Sequence, residues 1–223
     1  ASPGTTNISF VGSVQFDPYF EVYSAVDERA AAFMACGLAE ESGEPVVLTC
    51  TGATASRNYI PGLTEAYYRH LPVLAVTSTQ HTGRVGNYVA QVIDRSEQFP
   101  DMAKKSIQLP TVYSEEDKQH TITAVNDALL ELVHGNAGPV HINLITTYSN
   151  GFNTKELPKY RTIRRVVDKD YPELPNGNIG IFVGAHAKFS EEETEAIDKF
   201  CESNNAVVIC DQISNYRGKY RFL

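Results

Sequence analysis

The sequence predicts an α/β protein with a parallel sheet that is covered by helices on both faces. The apolar segments 46–50, 72–77 and 139–144 are short and continuous, and helical segments separate them. This is the pattern of strands that are buried on both faces. The same alternation of strand and helix restarts near residue 178. We therefore expect a three-layer parallel-sheet domain followed by the start of a second, incomplete α/β domain of the Rossmann-like type.

Composition and charge narrow the function classes. The 223 residues are 42% hydrophobic and 21% charged, as in an ordinary globular protein. The formal charge is −8, and phosphate binding needs clustered Lys and Arg that this chain does not show, so we expect no nucleic-acid partner. The longest apolar stretches, 72–76 and 179–185, are too short to span a bilayer, and no apolar secretion signal opens the chain. We expect no membrane partner and a cytoplasmic location.

The first predicted element is a helix over residues 28–41. Asp27 can cap it, its body is rich in Ala, Leu, Met and Phe, and Ser42-Gly43 closes it before Pro45. The helix carries a carboxylate, Glu28, in its first turn. Because the helix dipole favours acidic first turns, the residues alone favour a structural role for Glu28 slightly over a functional one.

The next elements repeat the alternation of strand and helix. In chain order they are strand 46–50, the turn Gly52-Ala53-Thr54, a helix over about 56–70, strand 72–77, a polar stretch with Gly83 and Gly86, a helix over about 115–134, and strand 139–144. In open parallel sheets the ligand lies beyond the carboxyl ends of the strands. The loops at 49–56 and 77–86 are therefore the expected ligand site.

A polar segment separates the two predicted domains. Residues 148–177 contain several prolines and a basic cluster of three arginines, which predicts a linker. After it, strand 178–185, a helix capped by Ser190 with Glu193 at the capping-box position, and strand 206–211 begin the second domain. We expect domains at 1–147 and 178–223, the first without its first strand and the second truncated, because both ends of the chain look cut.

Several chemically capable residues are predicted to be structural. The four cysteines show no C-x-x-C spacing and lie among apolar residues, as buried free thiols do. His141 lies in an apolar strand and is expected to be a core histidine with satisfied hydrogen bonds. Asp94 and Arg95 are expected to be structural or interfacial.

A series of motifs resembles the pyrimidine-binding domain of thiamine-diphosphate enzymes. In order they are Ser2-Pro3-Gly4, Val26-Asp27-Glu28-Arg29, Thr51-Gly52-Ala53-Thr54-Ala55 with Asn58 and Pro61, Glu65-Ala66, Ala90-Gln91 with Ile93-Asp94, and Gly138-Pro139-Val140-His141-Ile142-Asn143. The D-E-R form is most similar to the 2-succinyl-5-enolpyruvyl-6-hydroxy-3-cyclohexene-1-carboxylate synthases of menaquinone biosynthesis. Each motif alone is weak, but together they cover nearly all of residues 1–147.

The resemblance implies a chemistry for the full-length protein. It implies a thiamine-diphosphate- and Mg²⁺-dependent transferase or lyase that makes or breaks a carbon–carbon bond on a 2-oxoacid. Glu28 is implied to hydrogen-bond N1′ of the aminopyrimidine and so to activate C2 of the thiazolium. The residues around it are apolar: Val26, Ala30, Ala31 and Phe33. We expect these neighbours to desolvate the carboxyl group, which suits it to sharing a proton.

The resemblance also implies site residues beyond the acidic one. Gln91 is similar to a family glutamine that faces the reacting centre and is expected to be catalytic, although its residue type alone favours a plain polar loop residue. Small side chains after a strand let a flat ring approach closely. The expected cofactor-binding residues are Glu28, Thr51, Gly52, Ala53 and Asn58.

Two departures from the family pattern concern the substrate. The family's S-P-G-S-R-S is here Ser2-Pro3-Gly4-Thr5-Thr6-Asn7, and its T-A-D-R-P is here Thr77-Ser78-Thr79-Gln80-His81. An arginine that binds a carboxylate through two hydrogen bonds is thereby lost. The candidates to meet the substrate instead are Thr5, Thr6, His81 and Arg84, although a solvated loop explains His81 and Arg84 equally well.

The family's magnesium and diphosphate motif, G-D-G followed by Asn, does not occur in these residues. The resemblance therefore implies that the metal and diphosphate ligands lie in a domain absent from this chain, with no metal ligand within it. It further implies a homodimer or homotetramer whose active site lies between subunits. The 223-residue chain is expected to be inactive alone.

Three alternatives stay open. A sister 2-oxoacid decarboxylase, or a synthase acting on a different acceptor, fits the changed turn at Thr5 and Thr6 nearly as well as the synthase of menaquinone biosynthesis. A non-catalytic subunit that keeps the fold is a second alternative, and retention of Glu28 speaks against it. A flavin- or nucleotide-binding doubly wound domain is a weaker third, because no strand is followed by G-x-G-x-x-G.

Overall fold

A computed structural model of the chain divides into two compact units, Ala1–Arg165 and Val166–Leu223. It describes residues 1–95, 98–147, 156–167, 171, 173–174 and 176–223. Much of the expected linker, namely 148–155, 168–170, 172 and 175, lies outside the described residues. Within the described part of the chain, no helix is both long and apolar enough to cross a membrane.

The first unit alternates helices and strands. Its elements are α1 (Ile8–Phe16), α2 (Glu28–Ser42), β1 (Val46–Thr51), α3 (Ala53–Asn58), α4 (Ile60–Tyr68), β2 (Val73–Thr79), β3 (Lys105–Leu109), α5 (Glu115–Val133) and β4 (Val140–Ile145), with a short 3₁₀ turn at Thr82–Arg84. The strands lie in the order β1-β2-β4-β3, and every neighbouring pair is parallel. The predicted parallel α/β class is confirmed.

The sheet separates two apolar cores, as three layers require. Alternate residues of β2 point to opposite faces: Val73 and Ala75 join the core under α2 and α4, whereas Leu74 and Val76 join the core under α5. All seven residues of β2 are buried, which explains its continuous apolar sequence.

The helix that carries Glu28 forms as its sequence predicts. Asp27 Oδ1 accepts a hydrogen bond from Ala30 N at 2.7 Å, which caps the start, and Gly43 ends the helix at φ 69°. Its Ala-rich face packs against α4 so closely that a Cβ on Gly62 would lie 2.5 Å from Ala32 Cβ. Only a glycine lets these two helix backbones approach this far.

Three elements differ from the sequence prediction. The helix expected over 56–70 is two helices, α3 and α4, because Pro61 lacks the N–H that a continuous helix needs and instead sits in the first turn of α4. Helix α1 and strand β3 were not predicted. The segment of β3, Lys-Ser-Ile-Gln-Leu, alternates polar and apolar residues because the strand lies at the edge of the sheet.

A chain of buried polar side chains runs across β2, β4 and β3. His141 Nδ1 and Nε2 lie 2.8 Å from the hydroxyls of Ser106 and Thr77, and Thr77 Oγ1 donates to Asn143 Oδ1 at 2.9 Å. Since the Thr77 proton is used on Asn143, Nε2 of the neutral ring carries the proton and Nδ1 accepts from Ser106. The prediction of a satisfied core histidine is confirmed.

The second unit is a smaller α/β arrangement. It comprises β5 (Ile179–Val183), α6 (Glu191–Asn204), β6 (Ala206–Cys210) and β7 (Arg221–Phe222), with three parallel strands in the order β5-β6-β7. The predicted capping box is present, because Ser190 and Glu193 exchange hydrogen bonds at 3.1 and 2.7 Å. Across both units the four cysteines are free and buried, as predicted.

Candidate functional site

The candidate site lies at the carboxyl ends of β1 and β2. Thr51 and Ser78 are register partners on these adjacent strands, so the turn after β1 and the loop after β2 begin side by side. Parallel sheets bind ligands at this edge. The sequence prediction for the loops at 49–56 and 77–86 therefore concerns one contiguous region.

The N-terminal turn is fixed onto the end of β1. Ser2 N donates to Thr49 O at 2.8 Å, and Asn7 Nδ2 donates to Thr49 Oγ1 at 3.1 Å. A Cβ on Gly4 would overlap the side chain of Thr51. The S-P-G turn thus owes its small third residue to the close approach of Thr51.

The two threonines expected to meet substrate differ in their surroundings. The Thr6 hydroxyl contacts Thr51 Oγ1 and lies 2.7 Å from Ser78 Oγ, so it joins the ends of β1 and β2. Thr5 is exposed beside it. The position that carries the family arginine is thus occupied by a hydroxyl engaged within the chain.

Gly52 and Gln91 meet at the turn after β1. Gly52 has φ 62° and ψ −179°, a backbone conformation that is essentially restricted to glycine. Gln91 also has a positive φ, 59°, and its Oε1 would lie 3.0 Å from a Cβ added to Gly52. The structure therefore brings together one predicted catalytic and one predicted cofactor-binding residue, while the side chain of Ala53 lies outside the described part of the structure.

Other predicted site residues make local contacts. Asn58 is exposed at the end of α3, where Nδ2 donates to Thr54 O at 3.2 Å. His81 Nδ1 accepts from Gly83 N at 3.0 Å, and Arg84 Nη1 contacts Gln80 Oε1. His81 and Arg84 are exposed, and none of their described hydrogen bonds reaches Thr5 or Thr6.

Glu28 begins α2 and is half-buried. Burial raises the pKa of the Cys50 thiol to about 12, and the Glu28 charge adds to that rise. Burial also raises the pKa of Tyr59, with a further contribution from Glu28. The carboxylate of Glu28 therefore lies within electrostatic reach of the end of β1.

The apolar enclosure predicted around Glu28 does not form within this chain. Of the four expected neighbours, Ala31 is buried, but Val26 is 98% exposed, Phe33 is 46% exposed, and Ala30 is exposed. Within the helix the reason is periodicity: Ala31 lies on the face of α2 that packs on β1 and α4, whereas Ala30 and Phe33 point away from it. Val26 lies before the helix begins. That prediction was wrong for the isolated chain.

An uncovered apolar surface begins at Glu28. Val26, just before the helix, and Phe33, Met34 and Leu38 within it are all exposed, and Met34 and Leu38, four positions apart, lie on the same side of the helix. We call these four residues the outer face of α2. Side chains of this size in a group commonly mark a protein contact.

One buried residue of the region was assigned no functional role from the sequence. Arg95 is 2% exposed, and its guanidinium donates to Gly52 O at 2.6 Å, Ser56 Oγ at 3.2 Å and Ser78 O at 2.8 Å. Burial lowers its pKa to about 10, so the group stays positively charged at neutral pH. No local sequence pattern marks it, because its partners lie 17 to 43 positions earlier in the chain.

A cavity of about 270 Å³ adjoins this arginine. The residues that line it are Thr79, Thr82, Val85, Ile93, Asp94, Arg95 and Gln108. None of these described lining residues belongs to the predicted cofactor-binding set. The cavity therefore lies to the side of the Gly52 turn.

Comparison with known families and curated proteins gives consistent matches. Residues 1–98 match the family described as thiamine pyrophosphate enzyme, N-terminal TPP binding domain. The 2-succinyl-5-enolpyruvyl-6-hydroxy-3-cyclohexene-1-carboxylate synthase of Bacteroides thetaiotaomicron is 36% identical over 178 residues, which cover 77% of this chain and 32% of that protein. The synthase of the same name from Porphyromonas gingivalis is 29% identical over 233 residues, covering 97% and 40%. The chain thus spans well under half the length of these relatives.

Among solved structures, the chain resembles the thiamine diphosphate-dependent 4-hydroxybenzoylformate decarboxylase of Rhodococcus jostii RHA1. The TM-score is 0.55 at 18% sequence identity, and the match covers 94% of this chain and 40% of the other. At this identity the likeness supports the fold alone.

Proposed function

Because residues 1–98 belong to the N-terminal TPP binding domain of thiamine pyrophosphate enzymes, we propose that this chain supplies the pyrimidine-binding side of an enzyme acting on a 2-oxoacid. The reaction makes or breaks a carbon–carbon bond, as in the synthases to which the chain is similar. Residues 1–147 form the pyrimidine-binding domain in this proposal, and residues 178–223 begin the next domain.

The turn after β1 fits a flat ring. We infer that the absence of a side chain at Gly52, where a Cβ would lie 3.0 Å from Gln91 Oε1, keeps the turn compact enough for a flat ring to approach it. Thr51, Gly52 and Ala53 would line the ring, with Asn58 further along α3. When bound, thiamine diphosphate supplies an acidic carbon that adds to a 2-oxoacid and accepts the electrons released with carbon dioxide.

Glu28 has the central role in this proposal. With the cofactor bound, its carboxyl group would share a proton with N1′ of the aminopyrimidine, and the support is its half-buried position and its electrostatic interaction with Cys50 near the end of β1. Gln91, whose carboxamide lies against Gly52, hydrogen-bonds the substrate. The observation that carries the proposal is the contact between Gln91 and Gly52 at the carboxyl end of β1, the strand whose Cys50 also interacts electrostatically with Glu28.

The remaining parts of the site come from outside these residues. We assign Mg²⁺ and the diphosphate to a part of the protein beyond this chain, which spans 32% of one synthase and 40% of another. The active site then lies between subunits of a homodimer or homotetramer. The outer face of α2 supports this assignment, because a subunit that covers it would also exclude water from Glu28. We place the protein in the cytoplasm, which its free, buried thiols favour.

A 2-oxoacid decarboxylase is the second candidate, and one observation favours it. The hydroxyl of Thr6, which stands where the synthases carry an arginine, is engaged by Thr51 and Ser78. It offers no charge to an acidic acceptor substrate. Product analysis with a 2-oxoacid alone, and with an acceptor added, separates the two reactions.

The decisive test is Glu28→Gln in the full-length protein supplied with thiamine diphosphate and Mg²⁺. We expect exchange of the cofactor's C2 proton, followed by NMR after acid quench, to slow by about 100-fold or more. Glu41→Gln, an exposed position at the far end of the same helix, is the matched control and should exchange normally. Unchanged exchange in Glu28→Gln with cofactor bound would refute the role of Glu28.

A further inference from the structure

Arg95 joins three separate segments at the candidate site. Its guanidinium holds the carbonyl of Gly52 at 2.6 Å, the hydroxyl of Ser56 at 3.2 Å and the carbonyl of Ser78 at 2.8 Å. These oxygens belong to the turn after β1, to α3 and to β2. A planar guanidinium can satisfy several acceptors in fixed directions, which a lysine ammonium on a flexible stem cannot do.

The burial of this charge calls for an explanation. Arg95 is 2% exposed, and among the described residues the three oxygens to which its guanidinium donates are all uncharged. Removing a cation from water is costly, and carbonyl dipoles offset only part of that cost. Desolvation accordingly lowers its pKa to about 10. An apolar side chain would fill the space at lower cost, so the benefit of Arg95 must lie in the geometry that it imposes.

That geometry bears on both residues of the turn. Gly52 has φ 62° and ψ −179°. Because a glycine backbone is free to adopt many conformations, an external contact is needed to hold this one, and the hydrogen bond from Arg95 to the Gly52 carbonyl provides it. Because the peptide is planar and trans, the N–H of residue 53 must then point away from Arg95.

The segment from Gln91 to Arg95 contacts the Gly52 turn at both of its ends. Gln91 Oε1 lies against Gly52, Val92 is buried, and four positions after Gln91 the Arg95 side chain returns to the same turn. Gln91 holds a positive φ of 59°, which is costly for a residue with a side chain and persists only when its surroundings impose it.

We propose that Arg95 is a positioning residue of the cofactor site, which fixes the Gly52 turn and the Gln91 segment in one arrangement before any ligand binds. The inference rests on the proposed function, because the turn matters to catalysis only if the cofactor ring lies against it. Arg95 itself touches neither substrate nor cofactor in this proposal.

The first test needs no bound cofactor. In the full-length protein, Arg95→Met and Arg95→Lys should speed amide hydrogen exchange of peptides covering 51–56 and 80–95 by about tenfold or more, while peptides from 179–210 are unchanged. Arg69→Met is the matched control, since it removes an arginine with exposed ion pairs to Glu40 and Glu65. Arg95→Lys keeps the charge, so it separates loss of geometry from loss of folding.

The second test measures turnover. With saturating cofactor and substrate, kcat of Arg95→Lys and Arg95→Met should fall by about 10- to 100-fold, the effect of a small misplacement at a reacting centre. Added guanidinium ion should restore part of the kcat of Arg95→Ala and none of that of Glu28→Gln.

Normal kcat with fast amide exchange at 51–56 would make Arg95 merely structural, and normal amide exchange would overturn the proposal directly. If Glu28→Gln also keeps full activity, the proposed function fails, and the exchange data alone then decide whether Arg95 fixes the turn.

Discussion

The turn at the end of β1 is held by hydrogen bonds within the chain, whereas the start of α2 is exposed to solvent. On the Arg95 side, comprising Gly52, Ser78 and Arg95, every contact described above lies within the chain and is buried or nearly so. On the α2 side, comprising Glu28 and the outer face of α2, Val26 and Phe33 meet solvent. Exposed apolar side chains in a group commonly mark a protein contact, so we propose that another protein surface covers the α2 side.

The largest expected effect is on the free energy of unfolding, and it tests how much the burial of His141, near the Arg95 side, contributes to stability. Burial, with a smaller contribution from two nearby arginine charges, lowers the pKa of His141 to about 3, against about 6.5 for an unfolded histidine. A depressed folded-state pKa means that the fold requires the neutral ring. The stabilisation that the neutral His141 ring contributes is therefore fully present above about pH 6.5 and is lost as the pH falls towards 3. The free energy of unfolding should fall by about 3 kcal/mol between pH 7 and pH 4.

Urea unfolding across this pH range measures the loss. His141→Gln cannot titrate here, so its free energy of unfolding should vary less with pH by about the same amount. His120→Gln, a change at an exposed helical position, is the control and should keep the wild-type slope. If the free energy of unfolding varies equally with pH in wild type and in His141→Gln, then His141 does not cause the pH dependence.

A middle-sized effect is expected at the turn itself. Gly52→Ala places a side chain at φ 62°, 3.0 Å from Gln91 Oε1, and should destabilise the fold by about 1–3 kcal/mol. Calorimetry of the full-length protein should also show weaker binding of thiamine diphosphate. Gly37→Ala is the contrasting control on the α2 side: its Cβ would meet nothing within 4 Å, and stability should rise by up to about 1 kcal/mol. A fully stable Gly52→Ala would show that the turn tolerates another conformation.

The smallest effect on stability is expected on the outer face of α2. Phe33→Glu should change the free energy of unfolding by about 0.5 kcal/mol or less, because the side chain is already exposed. In the full-length protein the same change should shift the population from oligomer towards monomer in light scattering. Glu44→Gln, exposed just beyond the helix, should leave assembly unaltered. An unchanged oligomer in Phe33→Glu would mean that the interface lies elsewhere.

Local sequence signals predicted much of the fold. The caps at Asp27 and Ser190, the glycine that ends α2 and the continuous apolar strands depend on near neighbours, and each was found where expected. The edge strand β3 was missed because its segment, Lys-Ser-Ile-Gln-Leu, is short and lacks the continuous apolar run by which the other strands were predicted, and its pairing with β4 is a long-range contact. The single helix expected over 56–70 failed because one proline outweighed the propensity of its neighbours.

The candidate site was less accessible from the sequence. Residue types and their order indicated Glu28, Gly52 and Gln91, but the role of Arg95 depends on oxygens 17 to 43 positions away. The exposure of Val26 and Phe33 likewise follows from which face of α2 the sheet covers. Contacts between residues this far apart in the chain leave no periodic pattern in the sequence, so only the three-dimensional structure reveals them.

The contact between Gly62 and Ala32 limits how the molecule can move. With only the Ala32 methyl group between the two helix backbones at Gly62, α2 and α4 have little room to slide or rotate past one another. Glu28 is thus mounted on a rigid pair of helices. Under the proposed role we expect Glu28 to keep its position, and any rearrangement on ligand binding to occur in the surface opposite it.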